Sequence, residues 1–311
     1  MAKVVVTRQL PAGPLDLLTD AGHEVLVRES TQPPSSTELQ ALVADADGLL
    51  CTLTERIDGA LLNAAPRLRA IAVFAVGTDN VDLEATGARG IPVGNTPDVL
   101  TDATADLAMA LLLATARRLP EAAANVTTGE WTTWEPLGFL GLELRGARLC
   151  VVGAGRIGRA TGERAAAFGM QVDYVGRGDD LHAALARADV VSLHAPLTDQ
   201  THHLIDAAAL AATKRGAILV NTSRGGLVDQ VALAEALRSG HLAAAGLDVT
   251  DPEPLPATDP LLTAPNLLVL PHIGSATHAA RERMAERAAR NLLAGLAGEP
   301  MPWPVTASRA P

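Results

Sequence analysis

The sequence predicts an α/β fold built as two Rossmann-like, doubly wound parallel sheets, with the active site in the cleft between them. Three observations predict it. Short apolar runs alternate with helical stretches along nearly all of the 311 residues, a pattern that argues for βαβ units and a parallel sheet. One run, 148–152, passes directly into Gly153-Ala154-Gly155-Arg156-Ile157-Gly158. Four further runs end at or just before His194, Arg224, Asp248 and His272. Ligands of open parallel sheets bind outside the carboxyl ends of the strands, so these residues are expected to converge on one cleft.

In chain order, strands are expected near 3–7, 24–27, 47–51, 70–74 and 92–94. Helices fall near 12–21, 37–44, 58–64 and 82–89 between them. Pro33-Pro34-Ser35-Ser36 reads as a loop, with Thr37 able to cap the helix that follows. A long helix near 101–118 repeats Leu107, Ala108, Leu111, Leu112 and Thr115 at helical spacing. Segment 120–147 holds Trp131 and Trp134 and shows no period, so it reads as an arm. A second βαβ series runs from Arg148 through the strand near 267–270, and a last helix spans 276–297. The helices near 101–118 and 276–297 are expected to cross between two lobes. The expected domains are a discontinuous substrate-binding lid, 1–98 plus 280–311, and a dinucleotide-binding domain, 99–279, carrying the arm near 120–147.

Composition narrows the function. Hydrophobic residues make up 48% and charged residues 19% of the chain, which suits a folded protein with full cores. A net charge of -10 without a basic stripe disfavours a nucleic-acid surface. Cys51 and Cys150 have no metal-ligand spacing, so no metal site is expected. Met1-Ala2-Lys3 leads straight into Val4-Val5-Val6 without a charged-then-apolar leader. The most apolar helix is too short and too closely flanked by charge to span a bilayer. A cytoplasmic protein with no membrane partner is expected.

Gly153, Gly155 and Gly158 follow a strand and open a helix, the context in which this spacing binds a dinucleotide. Gly153 permits the tight turn, Gly155 admits the pyrophosphate, and Gly158 lets the helix pack on the sheet. The helix N-terminus, at Arg156 and Ile157, offers free N–H donors. The acid expected for the ribose 2′-hydroxyl about 20 residues on is missing, and the strand end reads Gly176-Arg177-Gly178. Arg177 can pair with a 2′-phosphate, so NADP(H) is expected to be preferred, with NAD(H) possible. Asp179 and Asp180 could reach back to a ribose, but are expected rather to cap the helix near 180–187. His194, Pro196, Asn221, Thr222, Asp248 and Gly274 complete the expected cofactor-binding set, with Asn221 and Asp248 on the nicotinamide side.

Arg224, between a strand end and Gly225-Gly226, can present a planar fork to a carboxylate. Glu253 beside His272 would orient the imidazole and favour its protonated form. That pair suits proton donation to a carbonyl oxygen while a nicotinamide delivers hydride.

The ordered set of the glycine motif, His194-Ala195-Pro196-Leu197-Thr198, Asn221-Thr222-Ser223-Arg224-Gly225, Gly246-Leu247-Asp248-Val249, Glu253-Pro254 and Pro271-His272-Ile273-Gly274 resembles the D-2-hydroxyacid dehydrogenase family. The match extends through Val76-Gly77-Thr78-Asp79-Asn80-Val81-Asp82 and Thr104-Ala105-Asp106-Leu107. The resemblance implies catalytic roles for Arg224, Glu253 and His272, and substrate contacts from the backbone at Val76 and Gly77. Within the family, Gly129-Glu130-Trp131, Trp134 and Gly176-Arg177 look like the glyoxylate/hydroxypyruvate reductases. That likeness implies a homodimer in which Trp134 reaches the partner's substrate site, and a small 2-keto acid as substrate. Two alternatives stand beside it: another family member of phosphoglycerate, phosphite or formate type, and a non-catalytic dinucleotide-sensing protein of corepressor type.

Overall fold

The computed structural model describes residues 1–305. The first hundred residues form β1 (Lys3–Val6), α1 (Ala12–Asp20), β2 (Glu24–Val27), α2 (Ser36–Val43), β3 (Gly48–Cys51), α3 (Gly59–Ala64), β4 (Ala70–Val73), α4 (Leu83–Ala88) and β5 (Val93–Gly94). α5 (Thr101–Ala116) and α6 (Leu119–Thr127) follow. The second series is β6 (Arg148–Val152), α7 (Arg156–Ala167), β7 (Gln171–Val175), α8 (Leu181–Leu185), β8 (Val190–Leu193), α9 (Ala207–Ala212), β9 (Ala217–Asn221), α10 (Gln230–Arg238), β10 (Leu242–Leu247) and β11 (Leu267–Val269). α11 (His278–Ala297) and β12 (Pro304–Val305) end the described chain.

The chain divides into two compact units, Met1–Leu100 with the chain from Ser275 onward, and Thr101–Gly274. In the first, the strand order is β12-β5-β4-β3-β1-β2, parallel except that β12 runs antiparallel to β5. β3 and β4 are buried along their whole length, as parallel strands covered on both faces must be. Val5, Leu49, Ile71 and Val73 pack with Leu39, Val43, Leu61 and Leu62 of α2 and α3 on one face. On the other face α11 approaches so closely that a Cβ on Gly94 would stand 2.5 Å from Asn291. Asn291 is fully buried; its amide donates to Asn95 O (2.9 Å) and accepts from Trp303 N (3.0 Å), tying β5 to β12.

The second unit is a six-stranded parallel sheet, β11-β10-β9-β8-β6-β7. α5 and α7 cover one face, with Leu111, Leu112 and Ala165 on Leu149, Val151, Ile218 and Val220. α8, α9 and α10 cover the other, with Leu185, Leu210, Leu233 and Leu237 on Val152, Val191, Leu193 and Leu219. β6 lies between β7 and β8, so the loops leaving β6 and β8 diverge there and open the crevice where such sheets bind ligands.

Several local expectations shift. α2 is capped by Ser35, whose hydroxyl accepts from Glu38 N at 3.2 Å, and Thr37 lies inside the helix. The helix expected to 118 stops at Ala116, and Arg118 takes a left-handed backbone (φ +52). The first part of the expected arm is α6, begun by Pro120 in its first turn. Its apolar stripe, Leu119, Ala122, Ala123 and Val126, is left uncovered, and none of its residues is buried. Residues 128–147 contain no helix or strand. α5 falls in the second unit and α11 in the first. β12 had no signal, being two residues long.

Candidate active site

The glycine turn after β6 is built for close approach. Gly153 has φ +100, and a Cβ there would lie 2.5 Å from Ala195 N. That contact brings the turn against His194-Ala195 at the end of β8. A Cβ on Gly158 would meet Gly153 O at 2.1 Å, so α7 sits tight on the turn. Gly155 has nothing within 4 Å, leaving room above the start of α7, where Arg156 and Ile157 begin the helix. Gly155 caps α7 without a side chain, so the first-turn N–H groups face that room unclaimed by a cap. The Thr222 hydroxyl, just past β9, is buried with no hydrogen-bond partner. An open cradle of donors and an orphaned hydroxyl on the same sheet edge fit a dinucleotide.

His194 stands beside this cradle. Ser192, two residues earlier on the same face of β8, holds its Nε2 at 2.8 Å. Burial lowers the imidazole pKa to about 4, so the ring is neutral at pH 7. Pro196 follows, and its carbonyl accepts from Thr201 Oγ1 at 2.6 Å.

Arg224 is presented by a braced turn. The Asn221 amide donates to Arg224 O (2.9 Å) and accepts from Ser223 N (3.0 Å). Ser223 Oγ donates to Ala195 O at 2.5 Å, linking the turn to the end of β8. A Cβ on Gly225 would lie 2.0 Å from Thr250 C, so the turn also presses on the segment leading to Glu253. Arg224 itself is extended (φ -143, ψ 141) and its Nη1 donates to Ser223 O at 2.9 Å.

His272 and Glu253 meet directly, with Nδ1 2.5 Å from Oε1. Asp248, almost wholly buried, places the histidine: Ile273 N donates to its Oδ1 and Gly274 N to its Oδ2, both at 2.7 Å. His272 N donates to Asp248 O at 2.9 Å. Burial pushes the Asp248 carboxyl above its usual range, against the two backbone donors that hold it down. Under this clamp His272 takes a left-handed backbone, φ +54, uncommon for a residue with a Cβ.

The second unit thus gathers the glycine turn, His194, Thr222, Arg224, Asp248, Glu253, His272 and Gly274 at the carboxyl edge of one sheet. The side chains of Asn221 and Asp248 are engaged in bracing that edge. Arg177 is exposed beyond β7, whose Val175 O accepts from Gly153 N at 2.8 Å. Asp180 caps α8 through Ala183 N (3.0 Å), whereas Asp179 accepts from Gly176 N (2.8 Å) and caps nothing. Val76 and Gly77 belong to the first unit, just past β4, with Val76 O held by the Asn95 amide at 2.7 Å. Trp134 is 80% exposed in segment 128–147. Sequence reasoning missed Ser192 and Ser223. Ser192 had a signal, its i, i+2 alternation with His194; the Ser223 contact to Ala195 had none.

Residues 109–274 match the model of the D-isomer specific 2-hydroxyacid dehydrogenase, NAD binding domain. The chain belongs to that family. Glyoxylate reductase of Thermococcus litoralis is 46% identical over 314 residues, covering 96% of this chain and 94% of that protein. Human glyoxylate reductase/hydroxypyruvate reductase is 45% identical over 318 residues, covering 97% of each. Among solved structures, an NADPH-dependent glyoxylate/hydroxypyruvate reductase of Sinorhizobium meliloti in complex with NADP and malonate superposes with a TM-score of 0.84 at 32% identity, over 98% of this chain and 96% of that one. This D-2-hydroxyacid dehydrogenase is accordingly an oxidoreductase of the CH–OH group, with a nicotinamide dinucleotide as cofactor. Among the described residues, no helix is long and apolar enough to cross a membrane.

Proposed function

We propose that the enzyme reduces a small 2-keto acid, glyoxylate or hydroxypyruvate, to the D-2-hydroxy acid, using NADPH in preference to NADH. The observation that carries this is the 2.5 Å His272–Glu253 pair on the sheet edge that also bears the Arg224 turn and the glycine cradle. The names of the relatives supply the substrate class.

When bound, the reduced nicotinamide supplies the hydride. Arg224 takes the substrate carboxylate in two-point contact and polarises the adjacent carbonyl. Glu253 holds His272 Nδ1, which leaves Nε2 to carry the proton given to the carbonyl oxygen. Asp248 sets the backbone from which that ring projects, and Asn221 does the same for Arg224. The backbone at Val76 and Gly77 is assigned to the carboxylate as well. The unit Thr101–Gly274 holds the dinucleotide; Gly153, Gly155, Arg156, Ile157 and Gly158 face the pyrophosphate, and Arg177 the 2′-phosphate. The site residues hold no metal in this reading.

Steady-state assay tests the reading. Glyoxylate or hydroxypyruvate should be turned over with kcat/KM about three times or more higher with NADPH than with NADH, since a guanidinium attracts the extra phosphate. No turnover of either acid would refute the substrate. Equal use of the cofactors would remove the preference.

Leu137 and Leu140, with Trp131 and Trp134, expose a run of large apolar side chains along segment 128–147. Exposed apolar runs of this kind mark interaction surfaces, and the reading assigns this one to a homodimer in which Trp134 reaches the partner's substrate. Sedimentation at micromolar concentration should return twice the 32.1 kDa chain mass, and a monomer would exclude that role for Trp134. Cys51 and Cys150 are both free and buried. That suits a reducing compartment, and the reading places the enzyme in the cytoplasm.

A further inference from the structure

β7 ends in a turn with two neighbouring acids that do different work. Asp180 caps α8. Asp179 folds back across Gly176-Arg177-Gly178, and the φ of +90 at Gly178 lets the chain reverse. The Asp179 carboxylate accepts from Gly176 N at 2.8 Å, and Asp179 N donates to Gly176 O at 3.3 Å. The turn adjoins the glycine cradle through the Gly153 N to Val175 O bond. A phosphate at such a strand end needs what the turn offers, a backbone N–H and a guanidinium. Here an anion already sits on that N–H.

We propose that Asp179 is a specificity-determining residue. Its carboxylate occupies the Gly176 N–H and adds a like charge where a 2′-phosphate would bind, and so limits the margin by which NADPH is preferred over NADH. The inference rests on the reading of Arg177 as the 2′-phosphate partner. The turn is exposed on every residue from Gly176 to Asp180, so solvent and salt screen the repulsion and the effect is severalfold.

Calorimetric titration with 2′,5′-ADP and with 5′-ADP tests it without turnover. Asp179→Asn keeps a side-chain acceptor for the turn and removes the charge. It should tighten 2′,5′-ADP binding about three- to tenfold, leave 5′-ADP binding unchanged, and lose most of that difference at about 1 M salt. Unchanged or weaker 2′,5′-ADP binding, or an equal gain for 5′-ADP, would overturn the proposal. Arg177→Ala, titrated in parallel, tests the underlying reading separately. If it fails to weaken 2′,5′-ADP binding, the role of Arg177 falls. If it weakens binding while Asp179→Asn does nothing, only the role of Asp179 falls.

Discussion

Arg224→Ala should lower kcat/KM for the keto acid by about a thousandfold, because removing one partner of a buried, charge-assisted pair costs about 2–5 kcal/mol. The loss should fall on both KM and kcat, since the guanidinium both holds the carboxylate and stabilises charge growing on the neighbouring oxygen. Arg224→Lys should recover only part of it, because an ammonium cannot reproduce the planar fork. Dinucleotide affinity should stay within about twofold, as the glycine cradle follows β6 whereas Arg224 follows β9. Fluorescence titration with NADPH checks that control. A tenfold loss of NADPH affinity, or near-normal kcat/KM for the acid, would show that Arg224 faces something else.

His272→Asn is the second large effect. Asparagine tolerates the left-handed backbone that residue 272 adopts, so the Asp248 clamp should survive and only the proton donor is lost. kcat should fall by about 10² to 10⁴, the usual contribution of a positioned acid–base group, with NADPH binding unchanged. Glu253→Gln should give a smaller fall, because the ring remains and only its orientation and charge balance change. Turnover within about threefold of the parent in His272→Asn would remove His272 as the donor.

Much of this architecture was legible because the central strands are short, largely apolar and punctuated by glycine or aspartate. Leu49-Leu50-Cys51 and Val190-Val191 have no polar face to confuse the period, and Asp58, Asp82 and Asp206 cap the helices after them. The residues gathered on the second sheet's edge were legible for a related reason: each lies within a few residues of a strand's carboxyl end, a place the sequence can mark. What could not be read is what depends on partners far along the chain or on whether a stripe is covered. α6 buries nothing. β12 is held by Asn291 and by its pairing with β5. Asp179 and Asp180 are adjacent and chemically identical, so only geometry separates the cap from the turn. Ser35, Ser36 and Thr37 are all favoured cap types, and the first of them caps the helix. The left-handed backbone of His272 comes from the Asp248 clamp, 24 residues upstream, and no local rule predicts it.

The route of α11 has a consequence for how the protein is born. Leu296 side-chain atoms would lie 3.4 Å from a Cβ on Gly48 of β3, and the Met301 and Ala70 side chains would lie within 3 Å of one on Gly295. The last stretch of chain therefore seals a sheet whose other strands were made first. On the ribosome, the uninterrupted nucleotide-binding half emerges complete while the opening hundred residues wait with one greasy face covered only in part, by α1. Chaperones would meet that face during synthesis, and a nascent chain stalled before Ser275 would release one finished half and one sticky one.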